Sequence, residues 1–371
     1  MAVKQKTWPL EAHTRAKHEI LRRYLEAWTP ILGAGSFPMI AYVDGFAGPG
    51  IYEGGEEGSP IIALRAALQH QQRVKSTLLF LFIEKDIERA RLLEQEIKQL
   101  ALPANYRWKV AEGESFEEGF RRHLLDHFVP KGRELPPTFA FIDPFGWTGV
   151  PFALVAEILR HGRCEVLINI MYEEINRFLA HPEQPNNFDV LFGTTAWRDA
   201  LRLEGVARRE FIHELYLAQL RRVGGARYVR SFEMRNKKNA TDYFLFFATN
   251  SRKGIEKMKE AMWKVDESGE FRFSDATNPA QVLLFEKQPN LLELRRQLLV
   301  KFAGTTATVD EIEEFVLAET SFRETHYKKR LAELEREGRV VAVDPPRNRR
   351  GHSYPDPRLV LRFEPLSDDG Q

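Results

Sequence analysis

The stretch Met39-Ile-Ala-Tyr-Val-Asp-Gly-Phe-Ala-Gly-Pro-Gly50 is an apolar run that ends in an acid and then in a loop with three glycines. It predicts a buried strand that delivers its carboxyl end into a ligand site, because glycine lets a backbone crowd against a bound molecule. Gly45, Gly48 and Gly50 are spaced G-x-x-G-x-G, not the G-x-G-x-x-G of dinucleotide binders, which argues against a dehydrogenase. Asp44 at the strand end and a loop able to hug a sulfonium-linked amino acid fit S-adenosylmethionine (SAM) better than a pyrophosphate. The expectation is a methyltransferase-type site with Asp44, Gly45, Phe46, Gly48 and Gly50 against the cofactor.

Outward from this loop the same pattern recurs. Leu78 to Ile83 is apolar and closed by Glu84, and a weaker run, Tyr106 to Val110, ends in Ala-Glu-Gly-Glu. Thr138 to Ile142 runs into Asp143-Pro-Phe-Gly146, and Glu165 to Ile170 is the fifth run. Helical segments separate them, beginning with a leader helix over residues 11–32 stopped by Pro30 and Gly33. Ser59-Pro60 predicts a helix start, with the hydroxyl as cap and proline in the first turn. Near-continuous apolar strands between helices predict an α/β chain: a mostly parallel sheet with helices on both faces, the Rossmann-like fold of class I methyltransferases. Tyr228 to Met234 and Tyr243 to Thr249 would complete seven strands as an antiparallel hairpin. From about residue 285 come short helices, then Arg339 to Val343, a basic turn and Leu359 to Phe363. That is the order of a winged helix-turn-helix, with Thr308 and Glu311 as a capping box. The domains expected are 1–284 and 285–371.

Ligands of parallel sheets bind outside the carboxyl ends of the strands, so Asp44, Glu84, Glu112 or Glu114, Asp143 and Asn169 should converge. Glu84 has two acceptor oxygens for two ribose hydroxyls; the alternative is an acid that only ends a strand. Glu112 and Glu114 compete for an adenine amino group, and the residues do not choose between them. Asp143, Pro144 and Phe145 stand where exocyclic-amine methyltransferases place Asn or Asp, proline and an aromatic. There a side-chain oxygen and a backbone carbonyl accept hydrogen bonds from the target NH2, and the ring stacks on a planar substrate. An ionised Asp143 could also take the proton shed after attack. The alternative is a tight turn, and Phe145-Gly146 lacks the phenol of Asp-Pro-Pro-Tyr. Trp147 is a second stacking candidate; Trp8, Trp28 and Trp263 read as core or pocket walls.

The chain has 371 residues and a formal net charge of +1, so a nucleic-acid partner must be met by local basic patches. Arg323, His326, Lys328, Lys329 and Arg330 crowd the third helix of the winged region, and Arg347, Arg349, Arg350 and His352 crowd its wing turn. This distribution suits a helix in a groove and a wing on phosphates, although Glu311, Glu313, Glu314, Glu333, Glu335 and Glu337 lie in the same module. The basic stretch Arg221 to Lys238 reads as a solvated sheet edge. Cys164 is the only cysteine, which excludes an internal disulfide and a cysteine-rich zinc site. His13, His18, His123, His127, His161 and His213 show no ligand spacing, so no metal is expected. No apolar run approaches the roughly 20 residues of a spanning helix, and no signal-peptide core is present. A cytoplasmic setting is the default expectation.

Taken together, Asp44-Gly-Phe-Ala-Gly-Pro-Gly50, Gly58-Ser-Pro60, Phe82-Ile-Glu84, Phe141-Ile-Asp-Pro-Phe-Gly146 and the Met258 to Trp263 segment resemble the three-Cys-motif partner proteins. The likeness runs across most of the chain, winged-helix end included. It implies a bacterial or phage-associated protein with the class I SAM-dependent methyltransferase fold. It also implies a partner with a three-cysteine motif that looks like a radical-SAM iron-sulfur enzyme. It supplies no substrate. The function expected is SAM-dependent methylation of an exocyclic amine of a nucleic-acid base. The alternative is a non-catalytic SAM- or nucleotide-binding scaffold for the three-cysteine protein.

Overall fold

The computed structural model describes residues 7, 9–132, 134–275, 289–347 and 349–365. The chain divides into two compact units, residues 1–265 with 272–282, and 266–271 with 283–371. The domain boundary expected at 284/285 lies outside the described residues, as does Trp8.

The first unit begins with α1 (Ala12–Gly33), β1 (Met39–Asp44), α2 (Ser59–Leu68), β2 (Thr77–Glu84), α3 (Ile87–Lys98) and β3 (Tyr106–Glu112). It continues through α4 (Phe116–Phe120), a π-helical turn and the single turn α5 (Asp126–Phe128), then β4 (Thr138–Ile142), α6 (Phe152–Arg160), β5 (Cys164–Ile170), α7 (Tyr172–Phe178) and α8 (Pro185–Phe192). It closes with α9 (Gly205–Arg222), β6 (Tyr228–Arg235), β7 (Thr241–Thr249), α10 (Arg252–Val265) and β8 (Arg272–Ser274). The sheet order is β3-β2-β1-β4-β5-β7-β6-β8. Strand β7 is antiparallel to β5 and β6, and the other pairs are parallel. This is the mostly parallel α/β arrangement typical of class I methyltransferases.

Two expectations need correction. The sheet has eight strands, not seven: β8 pairs in parallel with β6 over Glu233 to Arg235. It is three residues long, too short to carry a period-two signal. The edge of β6 is therefore covered by β8 at Glu233 to Arg235 alone, where Glu233 takes Arg235 at 3.1 Å and Arg272 at 2.7 Å. Proline does not stop α1 either. Pro30 sits in the last turn and the helix runs on to Gly33, because proline there removes only one late hydrogen bond.

Alternation along the strands feeds two cores. On one face Phe139 meets Tyr24 at 4.9 Å and Trp28 at 6.2 Å, so α1 packs on the sheet through its aromatic stripe. On the other, Val43, Ala140, Ile142, Val166, Ile168 and Phe246 join side chains of α4, α6 and α9. One polar residue ties α1 to the first face. Glu165, near the start of β5, accepts from Tyr24 Oη at 2.5 Å and from Thr249 Oγ1 at 2.7 Å. It is 4% exposed, and burial raises its carboxyl above the usual range.

The second unit holds α11 (Leu291–Phe302), β9 (Thr306–Thr308), α12 (Val309–Glu319), α13 (Glu324–Arg336), β10 (Val340–Val343) and β11 (Val360–Phe363), with sheet order β10-β11-β9. This is a winged helix-turn-helix, and the Thr308–Glu311 capping box opens α12 as expected. Its wing is held by a fork. Arg349 donates to both oxygens of Glu335, at 2.7 and 2.6 Å, and Tyr354 Oη donates to Glu335 at 2.7 Å. Burial alone would raise Glu335, but these bonds outweigh it and hold the carboxyl low. No helix among the described residues is long and apolar enough to cross a membrane.

Two outcomes follow from these buried acids. Tyr24→Phe should cost about 1–3 kcal/mol in urea unfolding, because it strips a donor from a buried carboxyl. Glu165 holds its proton to higher pH in the native state than when unfolded, so wild-type stability should fall relative to Glu165→Gln as pH rises above the ordinary carboxyl value. Arg349→Ala should destabilise the winged unit by up to about 3 kcal/mol, since it leaves Glu335 only Tyr354 and His352 as partners. Arg350→Ala should change stability by less than about 0.5 kcal/mol.

Candidate functional site

Strand β1 ends on Asp44, which is fully buried. Its oxygens accept from the Phe46 N–H at 3.3 Å, from Tyr42 Oη at 3.3 Å and from the Ser59 hydroxyl. Ser59 thus serves Asp44 rather than capping α2, whose N-cap is Gly58. Burial, partly offset by these bonds, raises the Asp44 carboxyl to about 7. In the following loop a Cβ on Gly45 would come 2.7 Å from Phe116, and one on Gly50 would come 2.7 Å from Leu93. Gly50 also sits at φ +81°. The protein's own packing therefore accounts for two of the three glycines. Glu84 acts on the same loop: Oε2 accepts from the Gly48 N–H at 2.8 Å and Oε1 from the Asp86 N–H at 2.7 Å.

The loop lines a narrow crevice of about 30 Å³ together with His18, Tyr52, Ser59, Asp143 and Phe145. Beside it lies a cavity of about 630 Å³ whose lining includes Lys17, Tyr52, Asp143, Phe145, Trp147 and Asn169. Tyr52, Asp143 and Phe145 border both. At the tip of β4, Asp143 Oδ2 takes the Lys17 ammonium at 2.5 Å and Oδ1 takes Asn169 Nδ2 at 2.7 Å. Lys17 is 5% exposed and lies 5.1 Å from the centroid of the Tyr243 ring.

The remaining predicted residues divide. Phe145 is 66% exposed, with the Arg89 guanidinium 5.9 Å from its ring centroid. Trp147 lies tilted against Phe178 at 4.7 Å and still borders the larger cavity. Trp28 and Trp263 are buried. Glu112 is exposed and pairs with Arg91 at 3.1 Å, while Glu114 takes Arg122 at 3.0 Å and His123 at 3.1 Å. Neither glutamate lines the two cavities, and Asp44, Gly45 and Glu84 lie behind the crevice wall that Phe46, Gly48 and Gly50 form.

Two histidines that showed no ligand spacing in the sequence belong to the site. His18 lines the crevice, and burial pushes it down to about 3, so its ring is neutral. His13 lines the cavity, with Asp275 at 2.8 Å, Glu11 at 3.1 Å and Asp242 at 3.5 Å. The signal was available in the spacing. His13 and Lys17 stand four residues apart and continue the buried stripe of Ile20, Leu21 and Tyr24 on α1. No group of three or more His, Cys, Asp or Glu among the described residues could hold a metal.

In the winged unit the structure sorts the basic residues. Arg349 is held by Glu335, Lys328 pairs with Glu324, and Arg330 pairs with Glu333. Arg323 lies at the N-cap of α13. Among the described residues Lys329, Arg347 and Arg350 are exposed and form no ion pair, which leaves them available to an anion.

A family model described as "GMT-like wHTH domain" matches residues 272–347, from β8 to the wing turn. No curated protein matches the chain. Protein LPL1258 from Legionella pneumophila aligns at 14% identity with TM-score 0.37, covering 67% of this chain and 86% of its own. The O-methyltransferase from Bacillus cereus, solved with SAH, aligns at 14% identity with TM-score 0.31, covering 62% and 80%. The cyclopropane synthase MmaA2 from Mycobacterium tuberculosis aligns at 10% identity with TM-score 0.28, covering 71% and 74%. Nothing about this chain's chemistry follows from such distant likenesses. What stands is a class I methyltransferase-like α/β unit joined to a GMT-like winged helix.

Proposed function

We propose that this chain is a SAM-dependent methyltransferase that acts on the exocyclic amine of a nucleic-acid base. The observation that carries the reading is the shared wall of Tyr52, Asp143 and Phe145 between the glycine-loop crevice and the larger cavity. A donor and an acceptor placed in those two spaces would meet at Asp143, at the carboxyl end of a central strand. The fit to SAM rests on Asp44, a buried carboxyl held near neutrality by burial, which a cationic ligand would stabilise in its charged form. Asp44, Gly45, Phe46, Gly48 and Gly50 would hold it, with Glu84 beneath the loop. Each Glu84 oxygen accepts one backbone N–H and retains a lone pair for a ribose hydroxyl. Bound there, SAM supplies an electrophilic methyl group on a sulfonium.

The chain's own residues then orient the acceptor. Asp143, paired with Lys17, is an anion at the cavity wall that can receive the proton released from an attacked amine. Pro144 fixes the turn, and the exposed Phe145 and the edge of Trp147 offer aromatic surface to a planar base. If the base comes from a duplex it must be flipped out, at a cost of a few kcal/mol that such stacking offsets. Lys329, Arg347 and Arg350 would take the phosphates.

A second reading is favoured by the narrowness of the crevice. At about 30 Å³ it must open to admit SAM, as suits a scaffold that binds only beside the three-cysteine partner implied by the resemblance. Transfer of labelled methyl from SAM to single-stranded DNA, duplex DNA and RNA separates the two. The first reading predicts transfer to at least one of them, and a fall of roughly 10²–10⁴-fold in Asp143→Ala with cofactor binding retained. Absence of transfer to all three by wild type favours the scaffold.

A further inference from the structure

Reading Asp143 as the acceptor of the target amine leaves one atom unexplained. Both Asp143 oxygens already accept, one from Lys17 and one from Asn169. Asn169, near the end of β5, is 2% exposed and borders the larger cavity, and its Oδ1 has no hydrogen-bond partner. The amide cannot be turned over to satisfy it. Its Nδ2 donates to Asp143 Oδ1 at 2.7 Å and to Met171 Sδ at 3.3 Å, and a flip would set oxygen against oxygen. Trp147 Nε1, on the same cavity, is a buried donor that also lacks a partner. Native interiors leave few such groups, and an unmatched acceptor and donor carried by two residues that border one cavity are met most simply by a ligand that carries the complementary pair once the side chains turn toward it.

We propose that Asn169 Oδ1 and Trp147 Nε1 are the atoms that read the substrate, and that Lys17 and Asp143 are positioning residues that lock the Asn169 amide. The ligand they select is a planar heterocycle with an amino N–H beside a ring lone pair. Asn169 takes the N–H, and Trp147 gives its own to the lone pair. The carboxylates of Glu11 and Glu174 on the same cavity disfavour a phosphate inside it, so the base enters and its backbone stays out. This rests on the methyltransferase reading, whose acceptor it names.

The test is ligand-observed NMR titration of the full chain with 1-methylcytosine and 9-methyladenine, against their N,N-dimethylated amino analogues. These bases lack ribose and so are poor mimics of the cofactor. Wild type should bind at least one parent base at least tenfold more tightly than its dimethylated analogue, because the analogue leaves Asn169 Oδ1 unpaired. Asn169→Leu should erase that ratio. Trp147→Phe, which keeps the ring and loses the N–H, should weaken the parent base several-fold. Lys17→Met should reduce the ratio without removing either reading atom. Thermal melting of each variant guards against misfolding, and Asn169→Ser replaces Asn169→Leu if the latter unfolds. Equal binding of parent and dimethylated bases, a ratio unchanged in the variants, or no binding of either parent overturns the proposal. Titration of SAM into the same samples separates the failures. SAM bound without base discrimination overturns only this inference, and absence of both overturns the cofactor reading as well.

Discussion

The ion pair between the buried Lys17 and the part-buried Asp143 is the interaction on which the site depends. Taking two charges out of water costs several kcal/mol per ion, and such a pair holds only when geometry is good and the spare lone pairs are used. Asn169 uses one of them. Seven residues further along α1, Tyr24 reaches Glu165 at the opposite end of β5. The helix is thereby pinned to two neighbouring strands, by a charge pair at the tip of β4 beside the cavities and by a carboxyl of raised pKa near the start of β5 away from them. A segment that precedes the sheet in sequence becomes a wall of both cavities.

The electrostatics of those cavities follow from burial. His18 is neutral at any ordinary pH, Asp44 is poised near neutrality, and Asp143 is matched by Lys17. Asp44, which meets the crevice through its hydrogen bond with Ser59, therefore shifts toward its charged form when something cationic arrives to favour it. Glu84 holds the glycine loop from below through Gly48, so the shape of the loop is set by one side chain.

Much of this was legible in the sequence. Continuous apolar runs ending in Asp44, Glu84 and Asp143 predicted the parallel strands β1, β2 and β4, and Thr308 with Glu311 marked the winged helix. What escaped notice depended on contacts between residues far apart in the chain. Lys17 and Asp143 are 126 positions apart, and Asn169 is 26 from Asp143. Strand β8 is short and becomes a strand only because β6 offers it an edge. Arg349 looked like a phosphate contact because its acid, Glu335, lies 14 residues away on α13. The glycines were read as space for a ligand, yet Phe116 and Leu93 fill the space beside two of them.

The most direct measurement is calorimetric titration of the full chain with SAM at pH 6, in two buffers of different ionisation enthalpy. With Asp44 raised to about 7 it is mostly protonated at that pH. A cation bound beside it favours the charged form, so binding must release protons to the buffer. The account predicts micromolar binding with up to one proton released at pH 6, less at pH 8 where Asp44 is already ionised, and none in Asp44→Asn. Binding whose heat is the same in both buffers, or no binding at either pH, would contradict it.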